Sequence, residues 1–504
     1  MVLVLRSRFA FLVILGFELS FGQRIPYDGK PDDTVFVAGP GLGRGCTYRS
    51  GGPLRITIKV DRYIAPSATD GFLSNLSALT RNKVIGTKAK LRMPAFDVDS
   101  SNTTSGGFPE VDKVYFNGKE LSKTLTGIDN AWSMNEFDVP VEYIKFPSSR
   151  PTTGKPTAVD NEIRIDIDTA NAATGRESWC TDIDWAELKF DAMAPLLFVH
   201  GIAAQKDTWE PAITGYLNSN LIPYERINLV ANGAVDTNGK LLSTQALLEA
   251  NRFGAKHAHL VVHSKGGLDS REYLSKYYDP KSLTILSLAT LDTPHWGSVH
   301  ADISIQQRKY WSDFSSDPDL SAYLSSDQKA NAFGAGPKSP GLNDLQTSVR
   351  TKYNQDNPFP ASVKLFTYGA DADLNDDGAI SDTEQSPLLD SIGYFPFASS
   401  VRSTNATAMY RILRDTSSIN VVSVIEDRVI NVRGVLIHEP VQKWRIDPVA
   451  TTTSQENDLS VTTTSAQHPS QTTYTFYDRN HSNIKNEVVM IDVLKQIRRD
   501  FAVQ

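Results

Sequence analysis

Leu260-Val-Val-His-Ser264-Lys-Gly-Gly-Leu268 is the stretch on which the reading of the fold turns. Leu260, Val261 and Val262 form a short apolar run of the kind found in a strand buried on both faces. After Gly266 and Gly267, the residues Leu268-Asp-Ser-Arg-Glu-Tyr-Leu-Ser-Lys-Tyr-Tyr278 have helical spacing. A serine between a buried strand and a helix, flanked by small residues, sits in the strand–turn–helix context of a nucleophile elbow. The strained turn lifts the hydroxyl above the sheet, and the glycine two positions on lets the helix pass close. Val262 stands where G-x-S-x-G has its first glycine, so the stretch departs from the bare pattern.

Further apolar strands lie on both sides of this stretch. Pro195-Leu-Leu-Phe-Val-His-Gly-Ile202 and Arg226-Ile-Asn-Leu-Val-Ala231 precede it; Ser282 to Leu291, Val363 to Tyr368 and Thr473 to Tyr477 follow it. Helical stretches separate several of them, which predicts an α/β domain with a mostly parallel sheet over residues 194–504. The pattern before it is different. Leu54 to Val60, Val111 to Gly118, Phe137 to Ile144, Glu162 to Asp168 and Trp185 to Phe190 alternate with period two, and Asn117-Gly118 is a tight-turn signal. Short strands without helical stretches predict an all-β, jelly-roll-like sandwich over residues 23–190.

A chain of 504 residues is long for one domain, and 40% hydrophobic with 22% charged residues is ordinary globular composition. With a formal charge of −7 and no basic run, the chain excludes nucleic acid as an expected partner. At the N-terminus, Arg6 and Arg8 precede an apolar run from Phe9 to Phe17, and Ser20 and Gly22 supply small residues for cleavage after Gly22. The run is shorter than the ~20 residues that span a bilayer, so residues 1–22 read as a secretory signal and the protein as extracellular or periplasmic. No other stretch reads as a transmembrane segment. In an exported protein the cysteines Cys46 and Cys180 read as one disulfide, tying the sandwich shut. A loop of about 130 residues closed in this way adds roughly 4–5 kcal/mol in the chain-entropy model.

Four stretches, in order, resemble the α/β-hydrolase lipases, secreted bacterial lipases above all. They are His200-Gly201-Ile202 with Trp209, His263-Ser264-Lys265-Gly266-Gly267, Asp292-Thr293-Pro294-His295-Trp-Gly297-Ser298, and Asn480-His481-Ser482-Asn483. Leu342 to Pro358 is a weaker match. The resemblance implies Ser264 as nucleophile, with the backbone N–H groups of Ile202 and Lys265 as oxyanion donors. His481 follows the last strand and precedes an amphipathic helix, the position of the triad base. His263 precedes the nucleophile in its strand and reads as structural. For the acid, Asp458 in Glu456-Asn-Asp-Leu-Ser-Val461 resembles the bacterial lipase segment, and Asp427 competes from within an apolar run extending from Asn420 through Ile437. In lipases the insertion after Gly297 caps the serine, so residues 298–362, with Tyr310, Trp311, Phe314, Tyr323 and Phe333, read as a lid or as a fixed packing element. A fainter likeness, from Val114 to Leu121, Trp132, Phe137 to Pro140 and Asn161 to Ile167, is to the galactose-binding-like modules attached to glycosidases. It implies a carbohydrate or polymer contact and names no binding residues.

Asp373-Leu-Asn375-Asp-Asp377-Gly-Ala379-Ile-Ser381-Asp-Thr-Glu384 fits the twelve-residue EF-hand loop. Asp373, Asn375, Asp377 and Glu384 offer side-chain oxygens, Ala379 its carbonyl, and Ser381 a water-mediated ligand. A lone loop of this kind, without two flanking EF-hand helices or a second copy, reads as a structural Ca2+ site. No organic cofactor is expected. Together these features predict a secreted serine carboxylic-ester hydrolase acting on a lipid or other ester. The competing readings are a polyester depolymerase or acyl-polysaccharide esterase, and a non-catalytic binding protein on a hydrolase scaffold.

Overall fold

The computed structural model describes residues 23–309, 339–386 and 399–503, apart from 31, 44, 65–70, 101–107, 175–178, 210, 469 and 471–474. The expected signal segment 1–22 therefore lies outside the described residues, as do Tyr310, Trp311, Phe314, Tyr323 and Phe333 of the 298–362 insertion. Among the described residues, no helix is long and apolar enough to cross a membrane.

The chain divides into two compact units. The first comprises residues 1–60, 88–145 and 160–190; the second comprises 61–87, 146–159 and 191–504. A single cut near residue 190, which the strand pattern predicts, misses two segments that belong with the second unit. The reason is visible in their contacts. The N–H of Tyr63 donates to the Phe253 carbonyl, Arg252 Nε donates to Pro151, and Asn82 Nδ2 donates to Asn220. The helix Gly71–Arg81 is also not part of an all-β pattern.

The first unit contains strands β1 (Val35–Ala38), β2 (Thr47–Tyr48), β3 (Leu54–Val60), β4 (Ile85–Phe96), β5 (Lys113–Phe116), β6 (Lys119–Thr124), β7 (Trp132–Pro140), β8 (Val159–Asp166), β9 (Cys180–Ile183) and β10 (Ala186–Ala192). They form a sheet of order β1-β10-β4-β9-β2, with β7 also on β4, and a second of order β3-β8-β5-β6. Period two is plain in β3, where Ile56, Ile58 and Val60 are buried and Arg55, Thr57 and Lys59 are exposed. The β2–β9 ladder sets Tyr48 opposite Cys180, and Cys46, just before it, is bonded to Cys180 across a 134-residue separation with Cα atoms 5.3 Å apart.

The second unit is built on β11 (Leu196–Val199), β12 (Tyr224–Ile227), β13 (His257–His263), β14 (Thr284–Leu291), β15 (Lys364–Asp371) and β18 (Thr475–Asp478). Their order is β12-β11-β13-β14-β15-β18, and every ladder is parallel. Parallel strands need crossovers, and the helices Ala212–Ser219, Val235–Arg252 and Lys265–Glu272 supply them. Leu197, Val199, Leu260, Val262, Ile285, Leu288 and Leu365 are buried in one cluster, which explains the continuous apolar runs. The central place of β13 puts its C-terminal end, and Ser264, in the middle of the sheet's edge.

Between β15 and β18 the chain leaves the sheet. A long antiparallel hairpin, β16 (Thr416–Val432) and β17 (Val435–Ala450), turns at Arg433 and Gly434, both in the left-handed region (φ 55° and 88°). The apolar run from Asn420 through Ile437 is thus two strands and not one. Most hairpin residues are exposed, Ile425, Val435 and Leu436 among them.

Candidate active site

Ser264 has φ 53° and ψ −130°, a conformation costly for a residue with a side chain. Three backbone bonds hold it there. Its N–H donates to Leu291 (2.9 Å), and its carbonyl accepts from the Gly267 N–H (3.0 Å) and the Thr293 hydroxyl (3.0 Å). Close approach explains Gly266: a Cβ there would lie 2.4 Å from the His200 carbonyl oxygen. Val262, the departure from the glycine pattern, points into the core and is fully buried, so its side chain is accommodated away from the serine.

His481 Nε2 lies 2.9 Å from Ser264 Oγ, and its Nδ1 lies 2.6 Å from Asp458 Oδ2. Asp458 is fully buried; its other oxygen accepts the N–H groups of Ser460 (2.8 Å) and Val461 (2.6 Å). The His481 N–H donates to the Asp458 carbonyl (3.0 Å), so backbone and side chain together fix the imidazole against the acid. These contacts give Nδ1 the proton and leave Nε2 free to accept from the serine hydroxyl. Asp427 is not in this group. It sits midway along β16, and its carboxylate faces His438 Nδ1 at 2.5 Å on the exposed hairpin.

The His200-Gly201-Ile202 segment and the start of the helix Lys265–Glu272 flank the serine. A Cβ on Gly201 would lie 2.8 Å from Ser264 Cβ. His200 accepts the Leu229 N–H at Nε2 (3.0 Å), so its proton is on Nδ1, which donates to the Gly201 carbonyl (2.9 Å). Burial lowers its pKa and keeps it neutral, as this pattern requires. Because C=O and N–H point oppositely across a trans peptide, this bond also sets the direction of the Ile202 N–H. The Lys265 side chain turns away into the core, where Nζ pairs with both oxygens of Asp269 (2.8 and 3.0 Å).

Two further histidines have roles the sequence does not announce. His263 Nε2 donates to the backbone carbonyl of His481 (2.7 Å); burial holds the His263 ring well below the ordinary histidine range, hence neutral. His263 is therefore structural in a specific sense, bracing the segment that carries the imidazole. His295 is linked to Arg271 and Asn354: Asn354 Nδ2 donates to the His295 carbonyl (2.9 Å), and Arg271 Nη2 donates to Asn354 Oδ1 (2.7 Å). That network joins the elbow helix, the Asp292–Ser298 stretch and the 342–358 segment. Strand alternation placed His263 facing away from the hydroxyl, but nothing local in the sequence shows that His481 lies on that side.

In the 373–384 loop, Asp373 and Glu384 are buried. Asp373 accepts the N–H groups of Gly378 (2.7 Å) and Asp377 (3.2 Å); Glu384 accepts those of Leu374 (3.0 Å) and Ser381 (2.7 Å). Asn375 Nδ2 donates to Asp377 Oδ2 (3.1 Å), and Ala379 donates its N–H to Asp377 Oδ1 (2.8 Å). The donor set is all oxygen, as a hard cation needs. Among the described residues, no three of the loop's carboxylates bring oxygens within 4.8 Å of one another, so ion binding requires them to draw inward.

No family model matches the chain, and a search of curated proteins finds no match. Solved structures do. The mature form of the Bacillus licheniformis lipase BlEst2 is 18% identical, with 60% of this chain and 91% of that chain covered, at a TM-score of 0.38. Its propeptide form is 17% identical, with 62% and 50% covered and a TM-score of 0.37, so the chain spans half the length of that form. Lipase 1 from Pelosinus fermentans is 14% identical, with 60% and 98% covered, at 0.32. These structural neighbours are lipases.

Proposed function

We propose that the protein is a secreted serine carboxylic-ester hydrolase of the α/β-hydrolase type, acting on a lipid or other ester. The observation that carries this reading is the hydrogen-bonded series Ser264 Oγ–His481 Nε2 and His481 Nδ1–Asp458 Oδ2. In this scheme Ser264 attacks the ester carbonyl and passes its proton to His481 Nε2. The oxyanion is held by the N–H groups of Ile202 and Lys265; losing one such donor typically costs about 10²–10³ in rate. The tetrahedral species collapses, His481 returns the proton to the leaving alcohol, and an acyl-enzyme remains. Water then loses a proton to His481 and attacks the acyl carbon; the second tetrahedral species collapses, His481 returns the proton to Ser264 Oγ, and the acid is released. Asp458 orients the imidazole and stabilises its charged form.

The disulfide Cys46–Cys180 is in keeping with export to an oxidising compartment. The 373–384 loop would hold one Ca2+ through Asp373, Asn375, Asp377, Ala379 and Glu384. When bound, the ion would neutralise the loop's carboxylates and brace the segment after β15. Its test is calorimetric: a Ca2+ titration should give a one-site isotherm that disappears in Asp373→Ala, and a chelator should lower Tm.

The hydrolase reading is tested by fluorophosphonate labelling of the whole protein with mass mapping. The adduct should fall on the Ser264 peptide and be absent in Ser264→Ala. An unlabelled wild type would reject the mechanism. A series of nitrophenyl esters of increasing acyl length then gives the substrate class.

A further inference from the structure

Asp292 follows β14 and has a left-handed backbone (φ 46°), fixed by its N–H to the Tyr368 carbonyl (2.8 Å). Its side chain is 1% exposed, and Oδ2 has no hydrogen-bond partner among the described residues. A buried carboxyl left in this way is costly, and an apolar side chain would fill the space without the cost. Its location gives it a use. An oxygen of Asp292, an oxygen of Asp458 and a ring nitrogen of His481 all lie within 4.8 Å of one another.

We propose that Asp292 is a second positioning acid for His481, able to orient the imidazole when the Asp458 carboxylate does not. This rests on the hydrolase reading above. Two different loops present carboxyls to one imidazole: Asp292 from the end of β14, and Asp458 from the segment before β18. Asp458 holds the position in the resting protein because its other oxygen is fixed by two N–H groups, whereas Asp292 keeps an unengaged oxygen.

The charged and titratable groups around Asp292 are Asp458, His481, Lys485 and, on the far side of His481, His263. Burial, then the neighbouring Asp458 charge and a hydrogen bond with the Asp458 side chain, raise the Asp292 carboxyl well above the usual range; Lys485 and the Ala370 backbone oppose them. With Asp458 ionised, Asp292 is thus held neutral. Taking away the Asp458 charge removes one of these causes and leaves burial, so Asp292 ionises more readily when it is needed. The Asp292 carboxylate would then face the imidazolium formed during acyl transfer, with Lys485 beside it.

The test measures kcat and KM from pH 5 to 9 on a soluble nitrophenyl ester for wild type, D292N, D458N and D292N/D458N. Ser264→Ala gives the background. We expect D458N to remain about 10²-fold more active in kcat than the double variant, with little difference in KM. That remainder should fall away on acidification, with a limb absent from D292N/D458N. A double variant within twofold of D458N, or a D458N profile of the same shape as the double's, overturns the proposal. Should the double variant not fold, D458N alone decides. Its downfield imidazole N–H resonance should persist at pH 8 and vanish on acidification; absence at pH 8 overturns the proposal. If Ser264→Ala keeps wild-type activity, it is the hydrolase reading that has failed.

Discussion

Among the described residues of the second unit, two histidine–aspartate pairs have nearly the same nitrogen–oxygen distance. His481–Asp458 spans 2.6 Å and His438–Asp427 spans 2.5 Å. Their surroundings differ. The first pair has side chains 12% and 0% exposed, lies against a strained serine and is fixed by backbone N–H groups. The second has side chains 62% and 59% exposed and stands on an exposed hairpin. Distance alone therefore does not mark a site. Burial removes competing water, and a third group gives the imidazole something to act on.

Substitutions can break this contrast. The largest expected effect is that of His481→Ala: a loss of at least about 10⁴-fold in kcat, against less than twofold for His438→Ala. Equal losses would mean that the exposed pair takes part. Asp458→Ala should cost about 10²–10³-fold, less than removal of the base because Asp292 stands beside it, while Asp427→Ala stays within twofold. The reverse order would transfer the acid's role to the hairpin.

Two stability measurements sharpen the same contrast. Lys265→Met strands the buried Asp269 carboxylate and should lower unfolding free energy by about 3–5 kcal/mol. Asp427→Asn, which breaks an exposed pair, should change it by less than about 1 kcal/mol. Chemical denaturation of both variants decides. A third measurement concerns pH dependence. Burial lowers Lys485 from 10.5 to about 8, with Asp292 and Asp458 opposing. Between those values the unfolded chain holds the proton and the folded chain has released it, so this group's contribution rises with pH and is lost as pH falls to about 8. Tm of wild type relative to Lys485→Met should accordingly increase from pH 8 to 10.5. A constant difference would show that Lys485 is solvated like the hairpin charges.

Much of this was legible in the sequence, for identifiable reasons. Buried parallel strands leave continuous apolar runs, so β11, β13, β14 and β15 stand out. The lipase resemblance, together with the places of Ser264 and His481 beside strand ends, points to Ser264, His481 and Asp458, and the structure brings the three together. Asp427 remained open because two strands joined only at Arg433 and Gly434 read as one apolar run. Asp292 and His263 were not given site roles, since each acts through a residue far along the chain. Residues 61–87 and 146–159 fall inside the predicted sandwich because their partners in the second unit, among them Asn220 and Arg252, come much later in the chain.

The exposed hairpin has a consequence for the protein's behaviour at high concentration. Among the described residues its sheet has only two strands, so each strand has one edge that no third strand covers. Such edges, beside exposed Val429, Val432, Val435 and Leu436, are templates for pairing with another chain. Glu426, Asp427, Arg428 and Lys443 interrupt the apolar rows. The exposed His438–Asp427 pair adds two polar side chains to those that break up the apolar surface of the hairpin.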